Sequence, residues 1–268
     1  MKPPPFEYHV PESLDEALAL KAELGDEASI LAGGQSLLPL LNMRLARPTA
    51  LIDLNRVSEL AYVEERDGGI AVGAMTRQRA LERSEVARRL CPLVGETLLH
   101  VAHSIVRNRG TVGGSIAHAD PAAELPAALC ALGGKLIARS RDRSREIAPQ
   151  DFFLFHFSTA LEPDEILSEV WFPALAQGAG HAFLEVSRRH GDFALCGAAC
   201  IATNGAVRLG FSGVASRPVA VDSDDPEAIE AAIDPTDDVH ATASYRRRLA
   251  QVLARRARMI ARSRAGGQ

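Results

Sequence analysis

Two pairs of adjacent glycines constrain this chain more than any other feature of its sequence. The first pair lies within Ile30–Leu37 (ILAGGQSL) and the second within Arg109–Ser115 (RGTVGGS), each where an apolar run meets a loop. Glycine lets backbone N–H groups turn outward and approach a ligand closely, and a string of such groups forms a concavity that binds anions. Two loops of this kind predict a site for the two phosphates of a dinucleotide.

The common phosphate-binding motifs do not account for these loops. Neither loop matches the Rossmann pattern G-x-G-x-x-G or the P-loop pattern G-x-x-x-x-G-K-[ST], and Gly133-Gly134-Lys135 lacks the Ser or Thr that would follow. A single Gly-Gly pair is more often only a tight turn. The turn interpretation therefore stays open for each pair alone, while the two pairs together favour a ligand site.

Composition excludes several classes of function. The net charge of −4 and the pI near 6.1 argue against a nucleic-acid or anionic-membrane binder. Aromatic residues make up only 5% of the 268 residues, which argues against a base-stacking surface. No apolar run approaches the length of a membrane span, and Met1–Pro5 lacks the apolar core of a secretory signal. We expect a cytoplasmic protein without nucleic-acid or membrane partners.

The cysteines and histidines do not predict a metal centre. An iron–sulfur cluster needs four ligands in tight loops, and that pattern is missing from the four cysteines, Cys91, Cys130, Cys196 and Cys200. Buried, unreactive thiols are expected instead. The histidines around the second glycine pair lack acidic or cysteine partners at ligand spacing; they are His100, His103 and His118. We predict no metal site on this chain.

The first two thirds of the chain alternates helices with strands. Ser13 and Glu16 form a predicted capping box for a helix over Leu14–Leu24 that ends at Gly25. Further helices are predicted from Thr76 to Leu90, over Gly95–Ser104, and over Ala122–Leu132 with Asp120 as N-cap. Strands are predicted at 28–31, 50–54, 61–65, 69–73, 135–139, 145–148 and 165–172.

The last third predicts a small antiparallel sheet with helices, after a boundary in Ala174–Gly180. Asn204-Gly205 is a strong hairpin signal between the second and third of three strands, which are predicted at 182–189, 193–203 and 206–214. Helices are expected at 226–233 and 244–263. One face of the last helix is predicted to carry Leu249, Val252, Leu253, Arg256 and Ile260, and the other face Arg246, Arg247, Arg248, Arg255, Arg258 and Arg262. That basic face is either solvated or a docking surface for an acidic partner.

Taken together, these segments resemble one known family, the FAD-binding middle subunits of the carbon monoxide dehydrogenase and xanthine dehydrogenase type of molybdenum hydroxylase. The resemblance covers essentially the whole chain. It is carried by Ala32–Ser36, Thr111–Ser115, Leu51–Asn55, Arg107–Gly110, Asp164–Leu167 and Gly191–Ala194.

The resemblance implies an α+β fold. Residues 1–175 would form a two-part FAD-binding domain of the PCMH and vanillyl-alcohol oxidase type, with the break between its subdomains near residues 55–60. Residues 176–268 would form a C-terminal domain of antiparallel sheet plus helices.

The resemblance also implies which residues bind FAD. Backbone groups of both loops would enclose the pyrophosphate, Glu124 would bind the ribose hydroxyls, and Leu167 and Phe193 would pack at the isoalloxazine ring. The full predicted site is Leu31, Ala32, Gly33, Gly34, Gln35, Ser36, Leu37, Val101, Thr111, Gly113, Gly114, Ser115, Ala117, Glu124, Leu167 and Phe193. The alternatives are turn capping for Ser36 and Thr111, and simple core packing for Leu167.

By resemblance, the chain would take electrons from [2Fe–2S] clusters on a small partner subunit and pass them to an external acceptor. The molybdopterin would lie on a large subunit, in a heterotrimer or a dimer of heterotrimers, and no catalytic side chain is expected on this chain. One alternative is a stand-alone flavin reductase or oxidase, which needs a general acid near the flavin. Another is an assembly subunit with degenerate loops, because Ser115 replaces a frequent Asn or Asp, and Leu184 and Glu185 stand where some relatives have Lys.

Overall fold

In the part of the chain that the structure describes, the strands form three main sheets and one short hairpin. The computed structural model describes residues 2–203 and 205–266. The strands are β1 Glu7–His9, β2 Ala28–Leu31, β3 Ala50–Asp53, β4 Val63–Arg66, β5 Gly69–Gly73, β6 Lys135–Arg139, β7 Ser144–Ile147, β8 Phe153–Phe155, β9 Ser158–Thr159, β10 Ile166–Pro173, β11 Gly180–Ser187, β12 Ala194–Ala202, β13 Val207–Ser212 and β14 Val219–Val221. The helices are α1 Leu14–Leu24, α2 Leu37–Asn42, α3 Gln78–Arg83, α4 Glu85–Leu90, α5 Pro92–Leu98, α6 Ser104–Arg107, α7 Val112–His118, α8 Glu124–Leu132, α9 Pro149–Phe152, α10 Pro226–Ala232 and α11 Ala243–Arg264.

The N-terminal sheet is parallel, in the order β1-β3-β2, and α1 packs on it. The register places Leu31, the last residue of β2, beside Asp53, the last residue of β3. Because parallel strands end at the same edge, the first glycine loop and the residues that follow β3 lie next to each other there.

The middle sheet is antiparallel, in the order β4-β5-β10-β6-β7. Its core contains side chains from α3, α5, α7 and α8, and every residue of α8 is buried. The C-terminal sheet is an antiparallel meander, β11-β12-β13-β14. Gly210 of β13 lies against the backbone of α8, where an added Cβ would come 2.2 Å from the carbonyl oxygen of Ala127. α11 also packs on this sheet, so helices cover both faces of the meander and its central strand β12 is rich in alanine and cysteine.

The predicted division near residue 175 falls in the connection between β10 and β11. The buried core around the middle sheet also includes Phe183 of β11 and Ala199 of β12. The two predicted domains therefore share packed side chains across that division.

Two predicted helices in the middle of the chain are wrong. The helix expected from Thr76 to Leu90 is two helices, because the backbone of Ser84 is extended (φ −63°, ψ 124°) and its hydroxyl caps α4 through the N–H of Ala87. Thr76 instead donates its hydroxyl to the carbonyl of Tyr62. The helix expected over Gly95–Ser104 is α5, which begins at Pro92, a residue favoured in a first helical turn, and ends at Leu98.

The helix ends elsewhere follow the predictions more closely. α1 begins and ends as predicted, with the Ser13 hydroxyl accepting from the N–H of Glu16. The Glu16 carboxylate accepts from the N–H of Glu12, one residue before the cap. The three predicted C-terminal strands and both helices are present with their ends shifted by one or two residues, and β14 is an additional strand. Of the predicted turn at Asn204-Gly205, Asn204 lies outside the described residues.

The prediction for the last helix is wrong at Arg246 and Arg256. Arg246 is 7% exposed and donates to the carbonyls of Leu195 and Gly213, whereas Arg256 is exposed and Val252 is only half-buried. In residues 2–203 and 205–266, no helix has both the length and the hydropathy that a membrane crossing requires.

Candidate functional site

The two glycine loops contact each other through their backbones. A Cβ added at Gly33 would lie 2.4 Å from the carbonyl oxygen of Arg109 and 2.8 Å from the Cα of Gly110. Such distances are closer than side-chain carbons tolerate, so position 33 accepts only glycine unless the loops separate. In the second loop, a Cβ at Gly113 would lie 2.4 Å from the Cβ of Ala74, just after β5. The glycines therefore allow three segments to meet at one point.

A cavity of about 520 Å³ opens beside this contact. The structure brings all of the predicted site residues except Leu31 to its wall: Ala32, Gly33, Gly34, Gln35, Ser36, Leu37, Val101, Thr111, Gly113, Gly114, Ser115, Ala117, Glu124, Leu167 and Phe193. Leu31 lies beneath the first loop, with its Cδ1 3.5 Å from the position that a Cβ on Gly34 would take. Its side chain thus supports the loop from behind.

The first loop presents unpaired amides. Gly34 has a positive φ of 72°, which turns the chain sharply before α2. In the described part of the chain, no acceptor receives the backbone N–H groups of Gly33, Gly34, Gln35 and Ser36. The Ser36 hydroxyl makes no capping bond to α2. Four amides and one hydroxyl are therefore available to an anionic ligand.

Side chains that the sequence analysis did not single out hold this loop in place. Asn55, two residues after β3, donates from Nδ2 to the carbonyl of Ala32 at 2.9 Å. Arg77 donates to Asn55 Oδ1 at 2.6 Å and also to the carbonyl of Arg109 in the second loop. Arg77 thus links the two loops. Asn55 belongs to a family-like segment, whereas nothing local to the sequence of Arg77 indicates its role.

The second loop differs from the first because most of its amides bond within the protein. Thr111 is the N-cap of α7, and its hydroxyl accepts from the N–H of Gly114 at 3.1 Å. The N–H groups of Val112 and Gly113 donate to the carbonyls of Thr76 and Ala74. The capping alternative for Thr111 is therefore what the structure shows. The Ser115 hydroxyl has no partner in the described residues and lines the cavity.

The N-cap expected at Asp120 is wrong. Asp120 Oδ1 accepts from the N–H of Ala122, which closes a local turn, and the chain stays extended at Ala123 (φ −70°, ψ 141°). The helix therefore begins at Glu124, two residues later than the predicted start at Ala122. This start places the carboxyl of Glu124 at the cavity wall.

Glu124 is a buried acid whose pKa is strongly raised. It is only 4% exposed, and burial raises its pKa to about 8, with the negative charge of Glu185 adding to the rise. Burial also raises the pKa of Glu185 to about 7, and the Oε2 atom of Glu185 has no hydrogen-bond partner in the described residues. At neutral pH the Glu124 side chain is therefore a carboxylic acid that both donates and accepts hydrogen bonds.

Leu167 and Phe193 contribute apolar surface of two different kinds. Leu167 is 5% exposed and lies at an irregularity in β10, where the register with β6 shifts between Leu167 and Glu169. It is both a core residue and a cavity residue. Phe193 is 60% exposed and immediately precedes β12, which begins at Ala194 rather than at Phe193 as predicted. The turn before it packs Gly191 (φ 88°) against the His103 ring.

A buried ion pair shapes the remaining wall. Arg107, 6% exposed, pairs with Glu82 at 2.8 Å. Its other nitrogen donates to the carbonyls of Val101 and Ala102, at 2.7 and 2.9 Å. Val101 and Ala102 both line the cavity, so the guanidinium fixes the backbone there. Within the described ranges, no group of three or more His, Cys, Asp or Glu residues is arranged to hold a metal ion.

Comparison with known proteins identifies the family. The sequence model described as "FAD binding domain in molybdopterin dehydrogenase" matches residues 4–175. The carbon monoxide dehydrogenase medium chain of Hydrogenophaga pseudoflava is 36% identical over 96% of this chain and 97% of its own length. The 6-hydroxypseudooxynicotine dehydrogenase complex subunit alpha of Paenarthrobacter nicotinovorans is 48% identical over 76% of this chain and 69% of its own length.

Solved structures agree with the sequence comparison. Reconstituted CO dehydrogenase from Oligotropha carboxidovorans contains a chain with a TM-score of 0.96 and 33% identity, which covers 99% of this chain and 100% of that one. A chain of quinoline 2-oxidoreductase from Pseudomonas putida 86 has a TM-score of 0.92 and 35% identity, and the match covers 98% of this chain and 99% of that one. The α+β fold is thereby confirmed. The chain belongs to the FAD-binding medium subunits of the carbon monoxide dehydrogenase and xanthine dehydrogenase family, and is an FAD-binding component of a molybdenum hydroxylase.

Proposed function

We propose that this chain takes electrons from [2Fe–2S] clusters on a small partner subunit and passes them to an external acceptor through FAD. A large subunit would hold the molybdopterin, in a heterotrimer or a dimer of heterotrimers. The observation that carries the proposal is the meeting of both glycine loops at one cavity, which is lined by four residues whose amides have no acceptor in the described part of the chain.

The residues present fit the pyrophosphate of FAD. The N–H groups of Gly33, Gly34, Gln35 and Ser36, with the Ser36 hydroxyl, would bind one phosphate without a lysine, since aligned amides supply the positive field. The Ser115 hydroxyl, which also lines the cavity, would donate a further hydrogen bond. Most amides of the second loop are already bonded within the protein. We therefore assign the stronger phosphate contacts to the first loop, and to the second loop the role of packing against the first.

The rest of the cavity fits the other parts of FAD. The neutral acid of Glu124 matches a ribose diol, which both donates and accepts hydrogen bonds. Leu167, Val101 and Ala117 would offer apolar surface to the isoalloxazine, and Phe193, which lines the cavity and is exposed, would cover the ring. When bound, FAD supplies one-electron and two-electron transfer, while the protein positions it and excludes water.

Two observations support partner subunits for the other redox groups. The four cysteines of the chain are all buried, and burial raises the pKa of each to about 12, so none is a ready thiolate ligand. The relatives are themselves named as subunits, such as "medium chain" and "complex subunit alpha".

FAD binding is tested first, by the visible spectrum and by titration of the apoprotein with FAD. Wild type should show flavin absorbance near ~450 nm. Ser36→Ala, which removes a hydroxyl that has no partner in the fold, should weaken binding about tenfold, and Ala117→Trp should block it. The matched control is Ser58→Ala at an exposed serine, which should bind FAD as wild type does. Equal FAD binding by all four proteins would refute the site.

Electron transfer is tested in the assembled complex. With the molybdenum subunit's substrate supplied anaerobically, wild type should bleach near ~450 nm and then recover when an acceptor is added. In a complex that carries Ala117→Trp, the iron–sulfur absorbance should still bleach, but acceptor reduction should be lost. Acceptor reduction at the wild-type rate without bound FAD would refute the proposal.

One observation favours the stand-alone alternative, and it has a direct test. Glu124 lines the cavity, and burial raises its pKa to about 8, as a general acid at neutral pH requires. A stand-alone enzyme would turn over a substrate without partner subunits and would lose that turnover in Glu124→Gln. Our proposal expects no turnover of this kind in the isolated chain.

A further inference from the structure

The C-terminal helix α11 carries an unusual charge. Its 22 residues include eight arginines and no acidic residue, in a chain whose net charge is −4. A helix with this composition repels itself unless acids elsewhere neutralise it. The positions of those acidic residues show which arginines of the helix are neutralised within this chain.

Five of the eight arginines form ion pairs with neighbouring elements. Most of their partners come from residues 222–238, a segment with eight acidic residues. The pairs are Arg246–Asp238, Arg247–Glu230, Arg258–Asp224, Arg262–Asp224 and Arg264–Glu96. One flank of the helix is therefore covered by an acidic segment of the same chain.

The other three arginines form no ion pair with the described residues. Arg248, Arg255 and Arg256 are exposed, and no carboxylate of the described residues lies within 4.0 Å of their guanidinium nitrogens. Positions 248 and 255 are seven residues apart, and so lie nearly in line along the helix. They mark one continuous, uncompensated cationic face.

An apolar row runs along the same face. Tyr245, Val252 and Met259 follow each other at seven-residue intervals and span about 21 Å at 1.5 Å per residue. Tyr245 is 46% and Met259 63% exposed, and Val252 is half-buried without belonging to the packed core of the C-terminal sheet. We call these six residues the α11 ridge: Tyr245, Arg248, Val252, Arg255, Arg256 and Met259.

We propose that the α11 ridge docks an acidic face of a partner protein subunit of the complex. The charge of the ridge selects acidic groups, as the same helix already does with residues 222–238, and the apolar row supplies the desolvated centre that a stable interface needs. A membrane would require a broad apolar face, whereas the apolar face of α11 is buried against the sheet. The overall acidity of the chain disfavours nucleic acid. The assignment of a subunit partner rests on the proposed function.

The test uses the full chain co-produced with its [2Fe–2S] and molybdopterin subunits, with the affinity tag on a partner. Arg255→Glu/Arg256→Glu should raise the Kd of assembly about tenfold or more, and added salt should weaken the wild-type complex much more than the variant. Met259→Gln, which changes no charge, should weaken assembly several-fold. Arg83→Glu/Arg141→Glu is the matched control, at exposed arginines that form no ion pair in the described residues and have the same charge change.

The outcomes separate cleanly. Assembly of Arg255→Glu/Arg256→Glu at wild-type affinity, or equal loss in the control, overturns the proposal. The proposal is also overturned if light scattering shows that the isolated wild-type chain is a dimer and the isolated variant is a monomer, because the ridge then binds a second copy of this chain. FAD content and thermal unfolding of each isolated variant report on the fold and the flavin site. A colourless wild type that still assembles through the ridge would refute the proposed function but leave this inference standing.

Discussion

The buried acid Glu124 leads to a prediction with a defined size and sign. Burial raises its pKa from 4.5 to about 8, so between these values the folded apoprotein holds a proton that the unfolded chain releases. The unfolded state therefore binds fewer protons, and the free energy of unfolding falls as pH rises, by about 1.4 kcal/mol per pH unit. The contribution of this group is most favourable below pH 4.5 and is lost progressively up to about pH 8.

Glu124→Gln keeps the shape of the side chain and removes its ionisation. Relative to the variant, wild type should lose about 3 kcal/mol of stability between about pH 5.5 and about pH 8.5. The assay is urea unfolding of the two apoproteins at both pH values, followed by far-UV circular dichroism. The same pH change acts on the groups distant from Glu124 in both proteins, so the difference between them reports on Glu124 together with Glu185, whose charge contributes to the raised pKa of Glu124.

The control for this experiment is Glu23→Gln. Glu23 is exposed and forms no side-chain hydrogen bond in the described residues, so its variant should track wild type within about 0.5 kcal/mol at both pH values. A difference between wild type and Glu124→Gln that does not change with pH would show that the carboxyl is already ionised in the folded protein. The assignment of Glu124 as a neutral partner for a diol would then be wrong.

Three further substitutions test how the site is held. Gly33→Ala forces a Cβ to 2.4 Å from the Arg109 carbonyl oxygen, so it should cost about 2 kcal/mol of stability in an unfolding experiment and most of the bound FAD, measured by absorbance. The control Gly95→Ala, with no atom within 4 Å of its added Cβ, should be neutral or slightly stabilising. Equal effects of the two variants would refute the loop contact. Asn55→Ala removes the bonds to Ala32 and Arg77 and should raise the Kd for FAD about tenfold in a fluorescence titration, with an unchanged Kd counting against this role for Asn55. Arg107→Gln removes the ion pair with Glu82 and leaves that carboxylate paired only with Arg79, so it should lower the free energy of unfolding by about 2 kcal/mol, whereas a loss below about 0.5 kcal/mol would contradict a buried pair.

The sequence predicted which segments line the cavity because glycine requirements are local. Positions 33, 34, 113 and 114 require either a small residue or a sharp turn, and the two Gly-Gly pairs in the sequence indicate both requirements directly. The family resemblance then supplied the expectation of FAD, which the family comparison confirms. The roles assigned to individual side chains stay predictions.

What the sequence did not predict depends on contacts between distant segments. Asn55 and Arg77 are 22 residues apart, and their hydrogen bond exists only once β3 and the second loop are side by side. The helix splits at Ser84 because a serine can either continue a helix or leave the helical conformation and cap the helix that follows with its hydroxyl; here it caps α4. The burial of Arg246 follows from three oxygen acceptors that lie on other elements and on the preceding loop.

The backbone contact between the two glycine loops also bears on how the protein is made and kept in the cell. Gly33 and Arg109 are separated by 76 residues, so their meeting is a long-range event with a large loop-closure cost. A ligand that binds both loops stabilises only the chain in which they have met, by about 4 kcal/mol when its free concentration is about a thousand times the Kd. FAD supply would then set the fraction of newly synthesised chains that escape proteolysis, and a flavin-starved cell would contain less of the subunit as well as less of its activity.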